Sequence, residues 1–91
     1  MAARIEVAQI ADGEFLVRLI EDAGESSHRV TLRPDDFQQI AGGEVEPLEF
    51  VKRSFEFLLE REPKESILAQ FDLPVIGRYF PEYEHEMRRR L

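Results

Sequence analysis

The sequence predicts a small α+β domain, in which a three-stranded antiparallel meander is followed by a short helix, one long helix and short C-terminal helices. Up to about residue 33, apolar and polar residues alternate with period two, as in half-buried strands. Prolines and glycines then divide the rest into segments whose apolar residues recur at helical spacing. With 91 residues, 43% of them hydrophobic, the chain can build one core. We therefore expect a single domain over 1–91, with the meander in 1–33 and the helical part in 34–91.

The three predicted strands follow one another from the N-terminus. Residues 3–7 alternate apolar and charged side chains, and the Asp-Gly pair at 12–13 supplies positive φ for a tight hairpin. Residues 15–20 form the second strand. Residues 21–27 (EDAGESS) have the composition of a loop. Alternation returns at 28–33, which we predict as the third strand.

Two prolines predict the starts of the first two helices. Pro34 suits a first helical position, and the glycine pair at 42–43 predicts the end of this short helix. Pro47 opens the main helix. That helix is expected to run to about Glu62, because Pro63 cannot continue it comfortably.

The main helix has apolar residues on two sides. One stripe holds Leu48, Val51, Phe55, Leu58 and Leu59. Phe50 and Phe57 fall on nearly the opposite side. Such a helix usually lies between two layers, of which one should be the sheet. The other is either the C-terminal segment or a second copy of the chain.

Short helices are predicted for the C-terminal segment. Residues 65–71 have helical spacing, and Asp72 is a plausible N-cap for one or two further turns over 73–80. The tail can form an exposed helix supported by i, i+4 ion pairs. We expect it to fray within 84–91, after Met87.

Composition excludes several classes of site. The chain has no cysteine, so disulfides, thiolate zinc sites and thiol nucleophiles are ruled out. His28 and His85 are far apart and lack neighbouring ligands, so we expect no metal and no cofactor. No apolar run approaches the ~20 residues that a membrane span needs, and the N-terminus shows no secretory signal. We expect a soluble cytoplasmic protein that is not attached to a membrane.

Acidic residues are abundant without forming a catalytic constellation. The candidate acids Glu56, Glu60 and Glu62 lie along the polar side of the main helix. Glu56 and Glu60 are an i, i+4 pair of like charge, typical of a solvated helix face, and Lys52 and Arg53 precede them by one turn. The glycine pair at 42–43 follows a helix instead of opening one, the wrong order for a phosphate cradle. We therefore expect that the protein is not an enzyme.

Charge is distributed unevenly along the chain. The net charge is −7, with four arginines against ten acids in residues 1–46 and equal numbers of bases and acids in 64–91. An acidic sheet half repels phosphate and would suit a basic protein partner. An ordinary acidic surface is the other interpretation.

The C-terminal half contains a distinctive sequence pattern. Residues 54–68 (SFEFLLEREPKESIL) and 71–83 (FDLPVIGRYFPEY) resemble a group of short bacterial proteins that share an SFEFLLEREP…SIL…FDL…YFPEY pattern. The resemblance implies no activity, since none is assigned to that group. The order of strands and helices in a small acidic chain is also similar to HicB-like antitoxins, at the level of topology only.

These patterns rank interaction ahead of catalysis. A 91-residue monomer struggles to bury both faces of a sheet and both sides of a helix, so we predict a homodimeric, non-catalytic interaction module. Its candidate interface residues are Leu16, Ile20, Phe50, Phe57, Tyr79 and Tyr83. The open alternative is a monomer whose C-terminal segment covers Phe50 and Phe57. Tyr79, Phe80 and Tyr83 suit either an interface or the edge of a core, and the core is the favoured place for them.

The alternative function is a DNA-binding regulator or antitoxin-like protein. It would use 65–71 and 74–80 as a helix-turn-helix, with Arg78, Arg88, Arg89 and Arg90 contacting nucleic acid. The turn lacks the expected glycine, and acids stand beside the three terminal arginines. Two short core-packing helices are the simpler interpretation, so nucleic acid is an unexpected partner.

Overall fold

A four-stranded mixed sheet with helices packed against it makes up the fold, in a computed structural model that describes residues 4–42 and 45–90. The strands are β1 (Arg4–Ala11), β2 (Glu14–Glu21), β3 (Gly24–Thr31) and β4 (Gln70–Asp72). The α-helices are α1 (Pro34–Ala41), α2 (Pro47–Leu59), α3 (Ile76–Tyr79) and α4 (Tyr83–Arg90), and 3-10 turns span Lys64–Ser66 and Leu73–Val75. The α+β class is confirmed, and the fourth strand adds to the predicted meander.

The first three strands form the predicted antiparallel meander. The turn between β1 and β2 lies at Asp12 and Gly13, as expected. Gly13 has φ +71°, a conformation that glycine adopts without steric cost. A Cβ at this position would lie 3.2 Å from the carbonyl oxygen of Leu32. The turn therefore requires glycine both for its backbone conformation and for space.

The predicted loop over 21–27 is wrong. A two-residue turn at 22–23 joins β2 to β3, and β3 begins at Gly24, four residues before the predicted start. Glu25 and Ser27 lie on the exposed face of the sheet. Because an antiparallel sheet can turn one face to water, their hydrophilic composition did not mark a loop.

Helices α1 and α2 begin at the two predicted prolines, Pro34 and Pro47. Gly42 ends α1 with φ +74°, while the second glycine of the predicted stop, at 43, lies outside the described residues. α2 ends at Leu59, three residues before the predicted end, because the chain tightens into a turn ahead of Pro63. α2 has 13 residues, and within the described ranges no helix combines the length and apolar character that crossing a bilayer requires.

One side of α2 packs on the sheet. Phe55 is fully buried there, with its ring centre 5.7 Å from that of His28 and 6.0 Å from that of Phe71. The inner face of the sheet supplies Phe15, Val17, Leu19 and Val30 to the same core. The predicted layer of sheet against one stripe of α2 is confirmed.

The other side of α2 is covered within a single chain. Phe50 packs on Phe37 of α1 at 5.6 Å, and Phe57 packs on Phe80 and Tyr83 at 6.0 and 5.4 Å. Phe50, Phe57 and Tyr83 are all fully buried. Their placement at an interface is therefore wrong: α1 and the C-terminal helices form the second layer.

The helix predicted over 65–71 is not formed. The 3-10 turn at Lys64–Ser66 leads into an extended segment, and β4 pairs in parallel with β3, with Phe71 opposite Val30. Ile67 is already extended, with φ −80° and ψ 133°. Pairing with the free edge of β3 outweighs the helical spacing of the apolar residues, because strand formation depends mainly on the tertiary context.

The tail is an ordered helix that continues to Arg90, so the fraying predicted after Met87 is not observed. The two predicted i, i+4 pairs are present, Glu84–Arg88 at 3.6 Å and Glu86–Arg90 at 3.7 Å. Such exposed ion pairs contribute little to stability. The helix is held instead by the packing of Tyr83 and Met87, which lie one turn apart and are both fully buried.

Candidate functional site

An apolar groove lies where the C-terminal end of α2 meets β4 and α3. Its volume is about 160 Å³. The residues that line this groove are Leu58, Glu62, Ser66, Ile67, Leu68, Phe71, Val75, Ile76, Tyr79 and Phe80. All but Glu62 and Ser66 contribute an apolar or aromatic side chain.

The groove gathers apolar side chains that face water. Among the described residues, four large apolar side chains are exposed, and two of them line the groove: Leu68 (48% exposed) and Tyr79 (67%). The other two, Ile10 (44%) and Leu48 (43%), lie elsewhere, on β1 and at the start of α2. Isolated exposed apolar residues are ordinary, whereas a cluster around a concavity indicates an interaction site.

Leu68 is held at the rim of the groove by β3. The Nδ1 atom of His28 lies 2.8 Å from the carbonyl oxygen of Leu68, and its Nε2 atom lies 2.8 Å from Ser26 Oγ. Because side chains alternate along an extended segment, the burial of Ile67 turns Leu68 outward. His28 thus has a structural role as a fully hydrogen-bonded strand residue.

The floor of the groove is continuous with the core. The ring of Phe71 lies 6.0 Å from Phe55, and that of Phe80 lies 6.0 Å from Phe57 in an edge-on arrangement. Both partner rings belong to α2 and are fully buried. The groove is therefore a fixed surface feature that a ligand would meet already formed.

Glu62 is the acidic residue of the groove. It is half-buried, and within the described residues no cation lies within 4 Å of its carboxylate. Nearby acids are paired: Glu60 with Arg90 at 2.6 Å, and Glu82 with Arg61 at 3.0 Å. The hydrogen bond from Arg90 lowers the pKa of Glu60 below its usual value. Glu62 remains available to a bound cation or hydroxyl.

The groove is suited to binding a side chain. A protein cavity of about 150 Å³ lined by Leu, Ile and Phe holds a benzene molecule, so this groove has room for one aromatic or branched side chain. Glu62 can accept a hydrogen bond at its edge. Across residues 4–42 and 45–90, no group of three or more His, Asp or Glu side chains is placed to hold a metal ion.

The remaining predicted interface residues divide between two surfaces. Leu16 and Ile20 are half-buried on the outer face of the sheet, on either side of Arg18. Arg18 pairs there with Glu6 at 3.0 Å and Glu25 at 2.7 Å, so a row of charges runs across that face. Tyr79 lies instead at the groove, where it is largely exposed.

Three of the four arginines predicted to contact nucleic acid are paired within the chain. These ion pairs are Arg88–Glu84 at 3.6 Å, Arg89–Glu86 at 2.8 Å and Arg90–Glu60 at 2.6 Å. Arg78 is exposed and makes no ion pair within the described part of the chain. The helix-turn-helix over 65–80 is not formed, because β4 replaces its first helix. The DNA-binding alternative thus loses the motif on which it was based.

Sequence reasoning missed most of the groove, including Leu68, and it considered Glu62 only as one of several acids on the polar side of the main helix. A signal was present: residues 67, 69 and 71 are apolar, and the polar residues Gln70 and Asp72 follow with period two before Pro74. That alternation predicts a strand, which places residue 68 on the outer side. Helical spacing of Ile67, Leu68 and Phe71 concealed it.

No family model matches the chain, and searches of curated proteins and of solved structures give no match either. The resemblance to short bacterial proteins stays a prediction. Function is therefore inferred from the groove and its charges.

Proposed function

We propose that this chain is a non-catalytic protein-interaction module that binds a polypeptide segment in the groove. The bound segment presents one large apolar side chain next to a positive charge. The observation that carries the proposal is the convergence of three side chains on one preformed concavity: Leu68, Tyr79, and Glu62, which has no ion-pair partner among residues 4–42 and 45–90.

The energetics favour a modest affinity. Burying one large apolar side chain contributes about 1.5–3 kcal/mol. Association costs at least about 4 kcal/mol in lost translational and rotational freedom. A single anchor is therefore insufficient, and residues beside it must add contacts. One such contact is an ion pair between Glu62 and a cationic side chain of the bound segment. This ion pair favours apolar segments that carry a positive charge over those that do not.

Net charge contributes to partner choice. At −7, the chain attracts cationic segments and slows the approach of anionic ones. A basic protein partner is also what the acidic sheet half of the sequence suits. We place the interaction in the cytoplasm, a compartment compatible with a cysteine-free chain.

Peptide selection tests the proposal directly. A phage library of 12-residue peptides is panned on immobilised wild-type chain at low surface density, with counter-selection on Leu68→Glu. We expect the selected peptides to combine an aromatic or branched residue with an adjacent Lys or Arg. Their affinity, measured by fluorescence anisotropy, should fall at least tenfold for Leu68→Glu and for Glu62→Lys.

Leu48→Glu is the matched control, because it makes the same change at a similarly exposed position outside the groove. It should bind the selected peptides as the wild type does. Circular dichroism checks that all variants keep their helix content. Peptides that bind all variants equally, or a library that yields no specific binder, would refute the groove as the binding surface.

A further inference from the structure

We infer that the segment bound in the groove comes from a second copy of this chain, in a two-fold homodimer in which each Tyr79 enters the groove of the other copy. The inference rests on the proposed function and names its partner. Arg78 and Tyr79 are a positive charge next to an aromatic residue, which is the type of segment that the groove accepts.

Tyr79 has the size and the chemistry for this role. It is the most exposed of the four exposed large apolar residues, at 67%. A volume of about 160 Å³ accommodates one phenol ring. The ring would be buried against Leu68 and Phe71, while its hydroxyl could donate a hydrogen bond to Glu62 of the other copy. Tyrosine is enriched at interfaces because it combines an apolar ring with such a polar end.

The charges of the surface are self-complementary. In a two-fold interface, residue i of one copy contacts residue j of the other, and j contacts i in return. Glu62 in the groove is an acid, and Arg78, the sequence neighbour of Tyr79, is a base; neither has an ion-pair partner in the described ranges. A two-fold axis through this surface can therefore pair each Glu62 with the partner's Arg78. A surface with charge of one sign would repel its own copy.

Tyr79 is also presented rigidly. Ile76 anchors α3 in the core, where it is 2% exposed, and the amide of Phe80 donates to the carbonyl oxygen of Ile76 at 2.8 Å. The backbone that carries Tyr79 is therefore already ordered before binding. The entropy cost of binding is smaller for such a preorganised anchor than for a flexible peptide.

Sedimentation velocity on the full chain tests the inference, over a range from about 1 to 300 µM. We expect reversible formation of a species of twice the monomer mass. Tyr79→Ala and Leu68→Glu should each weaken the dimer at least tenfold. Ile10→Glu and Leu48→Glu change exposed apolar residues outside the groove, and their dimerisation constants should equal that of the wild type.

A charge exchange tests the two-fold geometry. Glu62→Arg and Arg78→Glu should each weaken the dimer at least tenfold, since each single change places like charges opposite one another. The double variant should recover an affinity within about threefold of the wild type. Recovery is specific to direct pairing, because two unrelated losses would add.

The outcomes separate this inference from the proposed function. A chain that stays monomeric throughout, a dimer that Ile10→Glu or Leu48→Glu dissociates, or a double variant without recovery would overturn the inference. If selected peptides nevertheless bind in the groove, the interaction module stands and its partner is another protein. If neither peptides nor a second copy bind, both fail.

Discussion

At the scale of single residues, one buried hydrogen bond joins the central helix α2 to the C-terminal helix α4. Tyr83 Oη lies 2.7 Å from Ser54 Oγ, and Ser54 Oγ also donates to the carbonyl oxygen of Phe50 at 2.9 Å. All three residues are fully buried. A polar pair at this depth is tolerated because each hydroxyl has a partner.

Tyr83→Phe should lower the free energy of unfolding by about 0.5–1.5 kcal/mol, the usual net contribution of such a hydrogen bond. Ser54 keeps its bond to Phe50, so no buried group is left unpaired. Tyr79→Phe makes the same change at an exposed position and should have no measurable effect. Urea unfolding at micromolar concentration checks both variants. Equal effects of the two changes would contradict the assigned role of Tyr83.

The same tyrosine predicts a pH dependence. Burial raises the pKa of Tyr83 well above the ordinary value of about 10. Above about pH 10 the unfolded chain releases this proton while the folded chain keeps it, so stability falls as the pH rises. Below pH 10 both states hold the proton and the contribution is constant. The stability gap between wild type and Tyr83→Phe should therefore narrow from pH 9 to 11, as measured by urea unfolding.

At the scale of elements, the C-terminal helix α4 is fastened at both ends. Tyr83 and Met87 bury its first turns. At its end, the Arg90 guanidinium pairs with Glu60 at 2.6 Å and lies 5.7 Å from the centre of the Phe57 ring. The arginine that the sequence offered to nucleic acid is thus part of the contact between α4 and α2.

Arg90→Ala should destabilise the fold by about 1 kcal/mol, since the pair is only partly shielded from water. Amide hydrogen exchange in the last turn of α4 should accelerate. Arg89→Ala is the neighbouring control, because Arg89 pairs within its own helix, with Glu86. It should leave both the free energy of unfolding and the exchange rates unchanged. Faster exchange in both variants would mean that positive charge in the last turn of the helix, and not the contact with Glu60, stabilises the end of α4.

Elements with a local signal were predictable, and those that depend on partners distant in sequence were not. The hairpin at Asp12 and Gly13, and the helix starts at Pro34 and Pro47, are encoded in adjacent residues. β4 is different: its three residues become a strand only because β3 offers a free edge some forty residues earlier. Because the groove forms around β4, most of the groove could not be predicted from the sequence either.

At the scale of the whole molecule, the fold consists of three layers with α2 in the middle. The sequence predicted this arrangement from the two apolar sides of α2. It left open which chain supplies the outer layer, because periodicity shows that a surface is covered but not by what. Phe50 and Phe57 are covered by the same chain, through α1, α4 and Phe80, the residue that follows α3.

The tail is therefore required for folding. Met87→Ala should cost about 2–5 kcal/mol, as for other buried Met side chains, whereas His85→Ala on the exposed side of α4 should be silent. Deleting 82–91 removes both Tyr83 and Met87. Since small domains have only about 5–15 kcal/mol of stability, the shortened chain should be largely unfolded. Far-UV circular dichroism and urea unfolding distinguish these results from those of a dispensable, frayed tail, for which all three changes would be silent.

The parallel pairing of β4 with β3 also orders events during translation. The meander leaves the ribosome before β4 does, with one edge of β3 bare and the inner face of the sheet without cover. Contacts such as that between His28 and Leu68 span 40 residues of chain, so they wait until residue 68 has emerged. The nascent protein is therefore most prone to aggregate at this early edge, and the groove forms only after β4 has been synthesised.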